Sequence, residues 1–234
     1  MKRRYPNKPD MSTCVHEAAH AVAHLAHGLG FIRVYVHTRA KMRGPRPPEE
    51  TGCVSGLSPL EQKQRLAKRG KRITYRSLHE LSVIIAYAGS FAAARYLRRG
   101  FGPIFPDGGG EDFEKADNCL KYIEAADYFQ RFRRKRNAQQ RLEAHSKAVR
   151  EDLIERTQFL IWDFWPEIMA LAEALYRRGS LTYAEAVEVY RRSLVRTTVK
   201  TANWTRVEKA VEQLNWMLRQ LCRSPARTSD GAVA

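Results

Sequence analysis

The sequence predicts a mainly α-helical domain that carries one small antiparallel β-hairpin. Apolar residues recur at three- and four-residue steps through several long segments, and glycine and proline residues separate these segments. Only the stretches 31–37 and 52–57 have the short, β-branched character of strands. A chain of 234 residues with 44% hydrophobic residues is large and apolar enough to bury one core, which argues against disorder as a whole.

The first helix is predicted from its caps and its periodicity. Residues 1–11 have the composition of a flexible basic lead-in. Ser12 or Thr13 is suited to cap the following helix, and Gly28 or Gly30 is suited to end it. An apolar stripe along this segment indicates a buried helix whose neighbouring face is lined by histidines.

The segment after this helix is predicted to form the hairpin. We expect strands 31–37 and 52–57 to pair antiparallel across a loop, 39–51, that is rich in proline, glycine and charge. The basic stretch 58–76 is predicted to be a solvated or partly disordered loop.

The remainder of the chain is predicted to be helical. One long helix runs from about Tyr75 to Arg99, and another begins near Glu111 or Asp112. Later helical segments are expected at 153–165, from Pro166 to Gly179, after the capping box Thr182–Glu185, and at 203–222. The predicted organisation is the lead-in 1–11, a domain over 12–194, a C-terminal amphipathic helix within 195–222 and a disordered tail 223–234.

Charge and cysteine content limit the setting of the protein. A net charge of +16 permits contact with nucleic acid, anionic membranes or acidic proteins, but it does not identify any chemistry. The basic run 129–136 is read as a charged helix face, so nucleic acid is not the favoured partner. The four cysteines form no paired motif and resemble reduced cytosolic thiols. No signal peptide precedes the first helix, and the apolar run 83–94 is too short for a membrane span, so we expect a cytoplasmic protein with no membrane contact.

The strongest chemical signal is the pattern His16-Glu17-x-x-His20 in the first helix. Residues four apart lie one turn apart on the same helix face, so two imidazoles can reach one metal ion. Glu17 lies roughly 100° further round the helix, where a carboxylate can contact a metal-bound water without binding the metal. Zn²⁺ with an open position acidifies its bound water, and a carboxylate can then act as general base. The spacing therefore indicates a zinc metallopeptidase, and surface histidines on an amphipathic helix are the alternative.

Two further histidines of this helix are not expected to share that ion. His24 and His27 lie about 12 Å and 16 Å along the helix axis from His16, at 1.5 Å per residue. A Zn–N bond spans only about 2.0–2.1 Å. We expect both to be partly buried polar residues, with His24 placed to support a metal ligand from behind.

Zinc in catalytic sites usually has three protein ligands, and the sequence leaves the third one open. The order of motifs resembles that of the FtsH-type zinc peptidases. In those proteins an HEAGHA helix precedes a Gly-rich helix and a short motif that begins with Asp. Here the matching segments are His16–Ala21, Tyr87–Ala93 and Gly109–Asn118. This resemblance covers about residues 12–192 and implies a helical zincin-like fold with Asp112 as third zinc ligand. On its own, Asp112 is better explained as a helix N-cap.

The chain also departs from that family. No G-x-x-x-x-G-K-[ST] motif occurs, so these residues include no P-loop ATPase, and we expect no membrane anchor. The acidic pair that family members often carry after the Ala-Ala positions is missing here, where Ala93, Ala94 and Arg95 lie nearby. His79 and Glu80 are candidates to replace its support of the ligands, or else they face solvent. Asp117 lies more than a turn from Asp112 and is not expected to bind the ion.

The favoured function is therefore a zinc-dependent endopeptidase that does not use ATP itself, with His16, His20 and Asp112 as ligands and Glu17 as base. We expect a flexible peptide substrate that adds beside the edge of strand 31–37, and the resemblance implies a separate ATPase partner and a homo-oligomer. One alternative is an inactive peptidase fold that binds partners, including nucleic acid, through its basic surface. A second is a repressor-cleaving zinc peptidase with a different third ligand.

Overall fold

The structure is a computed structural model that describes residues 8–42, 52–57, 59–99 and 110–201, apart from the side chains of residues 39, 40, 59 and 196–201. The predicted fold class is confirmed: the chain is mainly helical and has one small antiparallel sheet. The elements in chain order are α1 (Met11–Ala26), β1 (Phe31–Val36), α2 (Arg39–Met42), β2 (Gly52–Gly56), α3 (Pro59–Lys68), α4 (Tyr75–Tyr96), α5 (Gly110–Asp127), a π-helical turn (Tyr128–Phe132), α6 (Ala138–Asp163), α7 (Trp165–Arg178), β3 (Ser180–Thr182) and α8 (Tyr183–Thr201). Residues up to Leu194 form one compact unit, and a second unit begins at Val195.

Helix α1 is the central element of the first unit. It packs against α4 on one side and α7 on another, and it also contacts β1 and β2. Its small residues Ala18, Ala19 and Ala23 are fully buried, which lets the neighbouring helices approach closely. Asp10 caps α1 by accepting hydrogen bonds from the backbone and hydroxyl of Ser12, so our assignment of the cap to Ser12 or Thr13 was wrong. The cap lies more than one and a half turns before the motif His16-Glu17-x-x-His20.

Helix α4 lies between α1 and the pair α5–α6. Among the described helices, it alone is long and apolar enough to cross a membrane by length and composition. We had expected no such segment because we considered only the apolar run 83–94, and α4 extends beyond that run. More than half of its apolar window is buried, as in the core helix of a soluble protein. This feature is therefore weak evidence for a membrane span.

The sheet has the strand order β2–β1–β3, and both pairings are antiparallel. Val34 of β1 pairs with Val54 of β2 and with Leu181 of β3. Strand β1 is therefore central, and a substrate strand cannot add beside it as we had expected. Among the described residues, the outer side of β2 is unpaired, and a Cβ on Gly52 of this strand would meet Glu17 of the histidine motif.

The basic stretch after β2 is partly a helix, contrary to our prediction of a loop over 58–76. Gln62 of α3 donates to the Gly30 carbonyl at 2.5 Å and accepts from the Gly30 amide at 2.9 Å. Leu66 is buried, and the Arg65 guanidinium lies 4.5 Å over the ring of Tyr183. These contacts hold α3 against the loop after α1; Lys63 and Arg65 are half-buried, and Lys68 is exposed.

The C-terminal part contains the predicted caps. Gly179 has a φ of 78°, in the left-handed region that favours glycine, and its amide bonds to the Leu175 carbonyl to end α7. Thr182 and Glu185 form the predicted capping box, in which each side chain accepts from the backbone amide of the other. The predicted helix at 203–222, the tail 223–234 and residues 1–7 of the lead-in lie outside the described residues.

Candidate metal centre

Helix α1 presents the two motif histidines to the interface with α4. His16 and His20 lie one turn apart, and their ring centroids are 4.7 Å from one another in an edge-to-face arrangement. Their Nε2 atoms are 3.0 Å apart, so both rings direct the same atom toward one point. The i, i+4 spacing of the sequence accounts for this half of the site.

Asp112 completes the group from the first turn of α5. Its Oδ2 atom lies 3.0 Å from His16 Nε2 and 3.1 Å from His20 Nε2, although 96 and 92 residues separate the partners in the chain. Helix α5 begins at Gly110, so Asp112 lies inside the helix and is not its N-cap. The three side chains are only 8–17% exposed, so water does not easily replace the contacts between them.

The tautomer of His20 follows from its second nitrogen. His20 Nδ1 donates to the Ile85 carbonyl of α4 at 2.7 Å, because a carbonyl oxygen can only accept. In the neutral ring this leaves the lone pair of Nε2 directed at the Asp112 carboxylate. Lone pairs on two groups 3.1 Å apart repel unless a proton or another cation lies between them. A backbone carbonyl that fixes a histidine in this way is typical of metal ligands.

The geometry of the three donor atoms fits one small cation. The two imidazole nitrogens and Asp112 Oδ2 form a nearly equilateral triangle with sides of 3.0, 3.0 and 3.1 Å. Ligands around tetrahedral zinc, at bond lengths near 2.0–2.2 Å, are about 3.3 Å apart. Within the described ranges, His16, His20 and Asp112 are the one group of three such side chains close enough to hold a metal ion. The triad is therefore a candidate metal centre.

The charges of the triad are strongly coupled. Burial lowers the pKa of His20, but the hydrogen bond and charge of Asp112, together with the charge of Glu17, outweigh burial and raise the pKa to about 9. Burial raises the pKa of Asp112, but the hydrogen bonds and charges of His16 and His20 outweigh it and hold that pKa well below its usual range. The opposite shifts of the His20 and Asp112 pKa values favour a proton between these two groups in the metal-free protein, and metal binding must displace it.

Gly89 of α4 provides the space for the two imidazoles. A Cβ atom at this position would lie 2.4 Å from His20 Nε2 and 2.6 Å from His16 Nε2, much closer than an ordinary contact. Any other residue at position 89 would occupy the space of the rings. The absence of a side chain at Gly89 therefore lets the two candidate ligand side chains approach the backbone of α4.

Glu17 lies on the adjacent face of α1, beneath strand β2. Its side chain is 5% exposed, and a Cβ on Gly52 would lie 2.7 Å from Glu17 Cγ and 3.0 Å from Glu17 Oε1. Its charge is one of the causes that raise the pKa of His20, after burial, which lowers it, and Asp112. The candidate base is thus held between the metal ligands and the β2 edge.

The other candidate residues lie outside the centre. His79 stacks on Tyr122 at 4.8 Å between ring centroids, and Glu80 pairs with Arg76 at 3.0 Å, so both have other partners. Asp117 pairs with Arg150, as expected for a residue that does not bind the ion.

His24 and His27 also lie away from the triad. The His24 ring packs against Phe31, and neither His24 Nδ1 nor His27 Nε2 has a hydrogen-bond partner among the described residues. His24 therefore does not form the expected hydrogen bond to a candidate ligand. His20 is instead held by its hydrogen bond to the Ile85 carbonyl.

Two functional positions escaped the reasoning from sequence. The role of the Ile85 carbonyl could not be predicted from the sequence, because every residue has a backbone carbonyl. Gly52 had the weak signal of a glycine inside a strand, which often marks a close approach. Comparison with known proteins does not extend this picture, since no protein-family model and no curated protein matches the chain.

Proposed function

We propose that this chain is a zinc-dependent metalloendopeptidase of the FtsH type, without an ATPase module in these residues. The observation that carries the proposal is the convergence of His16 Nε2, His20 Nε2 and Asp112 Oδ2 within 3.1 Å of one another. Two imidazoles and one carboxylate form a donor set that suits zinc. The same motif order suggested Asp112 by resemblance, and the geometry supports that choice over the N-cap alternative.

The chain supplies the remaining chemistry through Glu17. His16, His20 and Asp112 would hold zinc, which would supply an acidified water and polarisation of the scissile carbonyl. Glu17 accepts a proton from the attacking water and passes it to the leaving amine, and this type of proton transfer contributes about 10²–10⁴ in rate. Burial between α1 and β2 keeps the carboxylate positioned during both transfers.

The peptide substrate is proposed to lie along the outer edge of β2. An extended peptide can add to a free sheet edge through backbone hydrogen bonds. Strand β1 is paired on both sides, whereas β2 is paired only with β1 among the described residues. Gly52 of this edge lies close to the Glu17 side chain, so a peptide along β2 passes next to the candidate base. A separate ATPase that unfolds substrates, and a homo-oligomer, remain part of the proposal by resemblance.

The test combines zinc content with cleavage of an unfolded protein such as casein. We expect about one zinc per chain in the purified protein, lost in the double variant His16→Ala/His20→Ala. Asp112→Ala should also lose zinc, whereas the matched control Asp117→Ala, on the same helix, should retain both zinc and activity.

The base is tested separately. Glu17→Gln should keep its zinc and lose cleavage by about 10²–10⁴. A zinc-loaded Glu17→Gln protein that cleaves at the native rate would remove the base assignment. A wild-type protein with full zinc and no cleavage of any unfolded substrate would favour the inactive binding protein instead.

A further inference from the structure

Helices α5 and α6 form a helical hairpin, and they are connected by an ordered basic turn, which we call the basic apex (residues 128–137). Helix α5 passes into the π-helical turn, and the chain then reverses through Arg133–Asn137 into α6. The Arg133 amide bonds to the Tyr128 carbonyl at 2.9 Å, and the Lys135 amide bonds to the Phe132 carbonyl at 2.8 Å. Asn137 adopts the left-handed conformation that turns the chain into α6. Residues 129–132 are helical as predicted, but residues 133–136 form the reversal, so the prediction of a charged helix face over the whole of 129–136 was wrong.

The basic apex carries an uncompensated positive charge. No aspartate or glutamate occurs between Asp127 and Glu143 in the sequence. Arg131 pairs with Asp127 at 3.5 Å. Four consecutive cations, Arg133, Arg134, Lys135 and Arg136, are exposed and have no acidic partner among the described residues. Adjacent like charges repel one another, and a polyanion relieves that repulsion.

A buried ionic network holds the basic apex in place. The Asp127 carboxylate is 1% exposed and contacts the guanidinium of Arg76 on α4 and Nε2 of His145 on α6, the latter at 3.0 Å. The start of the turn is thereby tied to two other helices. The four cations are consequently presented on a fixed backbone, which lowers the entropic cost of binding a charged partner.

The basic apex also carries an exposed aromatic ring, four residues before these charges in the chain. Phe129 is 63% exposed, and its ring packs edge-to-face against Tyr128 with centroids 5.6 Å apart. The two rings border an open groove whose other lining residues are Lys121, Glu124, Ala125, Gln139 and Leu142. An exposed ring next to backbone-binding cations is the combination that proteins use for unpaired bases.

We infer that the basic apex binds single-stranded nucleic acid, with phosphates on Arg133, Arg134, Lys135 and Arg136 and an unpaired base stacked on Phe129. Arginine guanidinium groups match phosphate geometry, and three of the four cations are arginines. A duplex keeps its bases stacked and leaves no face for Phe129. A helix that inserts into a lipid surface requires a broad apolar face, and one phenylalanine with four cations does not provide it.

This surface is separate from the candidate metal centre. Asp112 lies near the start of α5 and the basic apex follows its end, a distance of about 22 Å along the helix axis at 1.5 Å per residue. The inference therefore does not depend on the proposed peptidase activity. A protein without zinc should bind a nucleic-acid strand equally well.

The test is fluorescence anisotropy of a labelled 15-nucleotide oligo-dT with the full chain at 50–200 mM salt. The fourfold variant Arg133→Ala/Arg134→Ala/Lys135→Ala/Arg136→Ala should weaken binding at least tenfold. Because each phosphate contact contributes about 0.7 to the salt slope for single strands, the slope of log K against log [salt] should fall by up to about 2.8. The control removes the same charge from exposed positions elsewhere: Lys68→Ala/Lys71→Ala/Arg72→Ala/Arg99→Ala. It should change affinity by less than about threefold.

A second variant separates stacking from charge. Phe129→Ala should weaken oligo-dT binding about fivefold or more without changing the salt slope, and Phe129→Trp should restore it. Native affinity in the folded fourfold variant, or an equal loss in the charge-matched control, overturns the inference. Binding to vesicles of anionic phospholipid in preference to oligo-dT, lost in the fourfold variant, also overturns it and assigns the surface to lipid.

Discussion

The substitution Gly89→Ala tests whether the metal centre requires the space beside α4. A Cβ at position 89 would lie 2.4 Å from His20 Nε2 and 2.6 Å from His16 Nε2, whereas ordinary contacts begin at 3.4 Å. The two rings must therefore move by about 1 Å, which is several times the tolerance of about 0.2 Å in a metal–ligand distance. We expect zinc affinity to fall by more than the roughly 10–100-fold caused by losing an outer-shell partner.

The same substitution should have a smaller effect on helix formation, and in the opposite direction. Alanine is favoured over glycine by about 1 kcal/mol inside a helix, so a purely local effect would stabilise the protein. Gly110→Ala is the matched control, because it is also a helical glycine but a Cβ there would meet nothing within 4 Å. Zinc affinity is measured by competition with a chromophoric chelator, and folding by thermal unfolding. A folded Gly89→Ala protein that binds zinc as tightly as Gly110→Ala would refute the argument.

Three further predictions concern the base, the buried histidines and the ionic network. Gly52→Ala should displace Glu17, since its Cβ would lie 2.7 Å from Glu17 Cγ; zinc content should persist while cleavage of unfolded protein falls by at least about tenfold. Burial lowers the pKa of His24 to about 3, against about 6.5 in the unfolded chain, so the unfolded state binds more protons between these values. The free energy of unfolding should then fall with decreasing pH from about 6.5, by up to about 1.4 kcal/mol per pH unit. Urea titrations at several pH values should show that this free energy depends less steeply on pH in His24→Leu. Asp127→Ala leaves Arg76 without its buried partner and should destabilise the protein by about 3 kcal/mol in urea unfolding, and an effect below about 0.5 kcal/mol would contradict the anchoring role.

Features set by local sequence were predictable. The spacing of His16 and His20 fixes their common face on α1, and Thr182 and Glu185 define their capping box within four residues. The fold class followed in the same way, from helical periodicity and two short strands. Asp112 required the resemblance to a family, because no local rule relates it to a helix more than ninety residues earlier.

Features set by tertiary contacts were not predictable. Strand β3 has three residues and exists because Leu181 pairs with Val34 across the fold, so it carries no strand pattern of its own. Helix α3 lies in a segment whose charge suggested a solvated loop, and the two hydrogen bonds of Gln62 to Gly30 decide otherwise. The central position of β1, which moves the proposed substrate to β2, follows from the same unpredicted strand.

The most direct measurement is the structure of zinc-loaded protein determined with anomalous diffraction at the zinc edge. We expect one strong peak about 2.0–2.2 Å from His16 Nε2, His20 Nε2 and a carboxylate oxygen of Asp112. A zinc peak elsewhere in the protein, with these three side chains retaining only their mutual hydrogen bonds, would contradict the assignment of the metal centre.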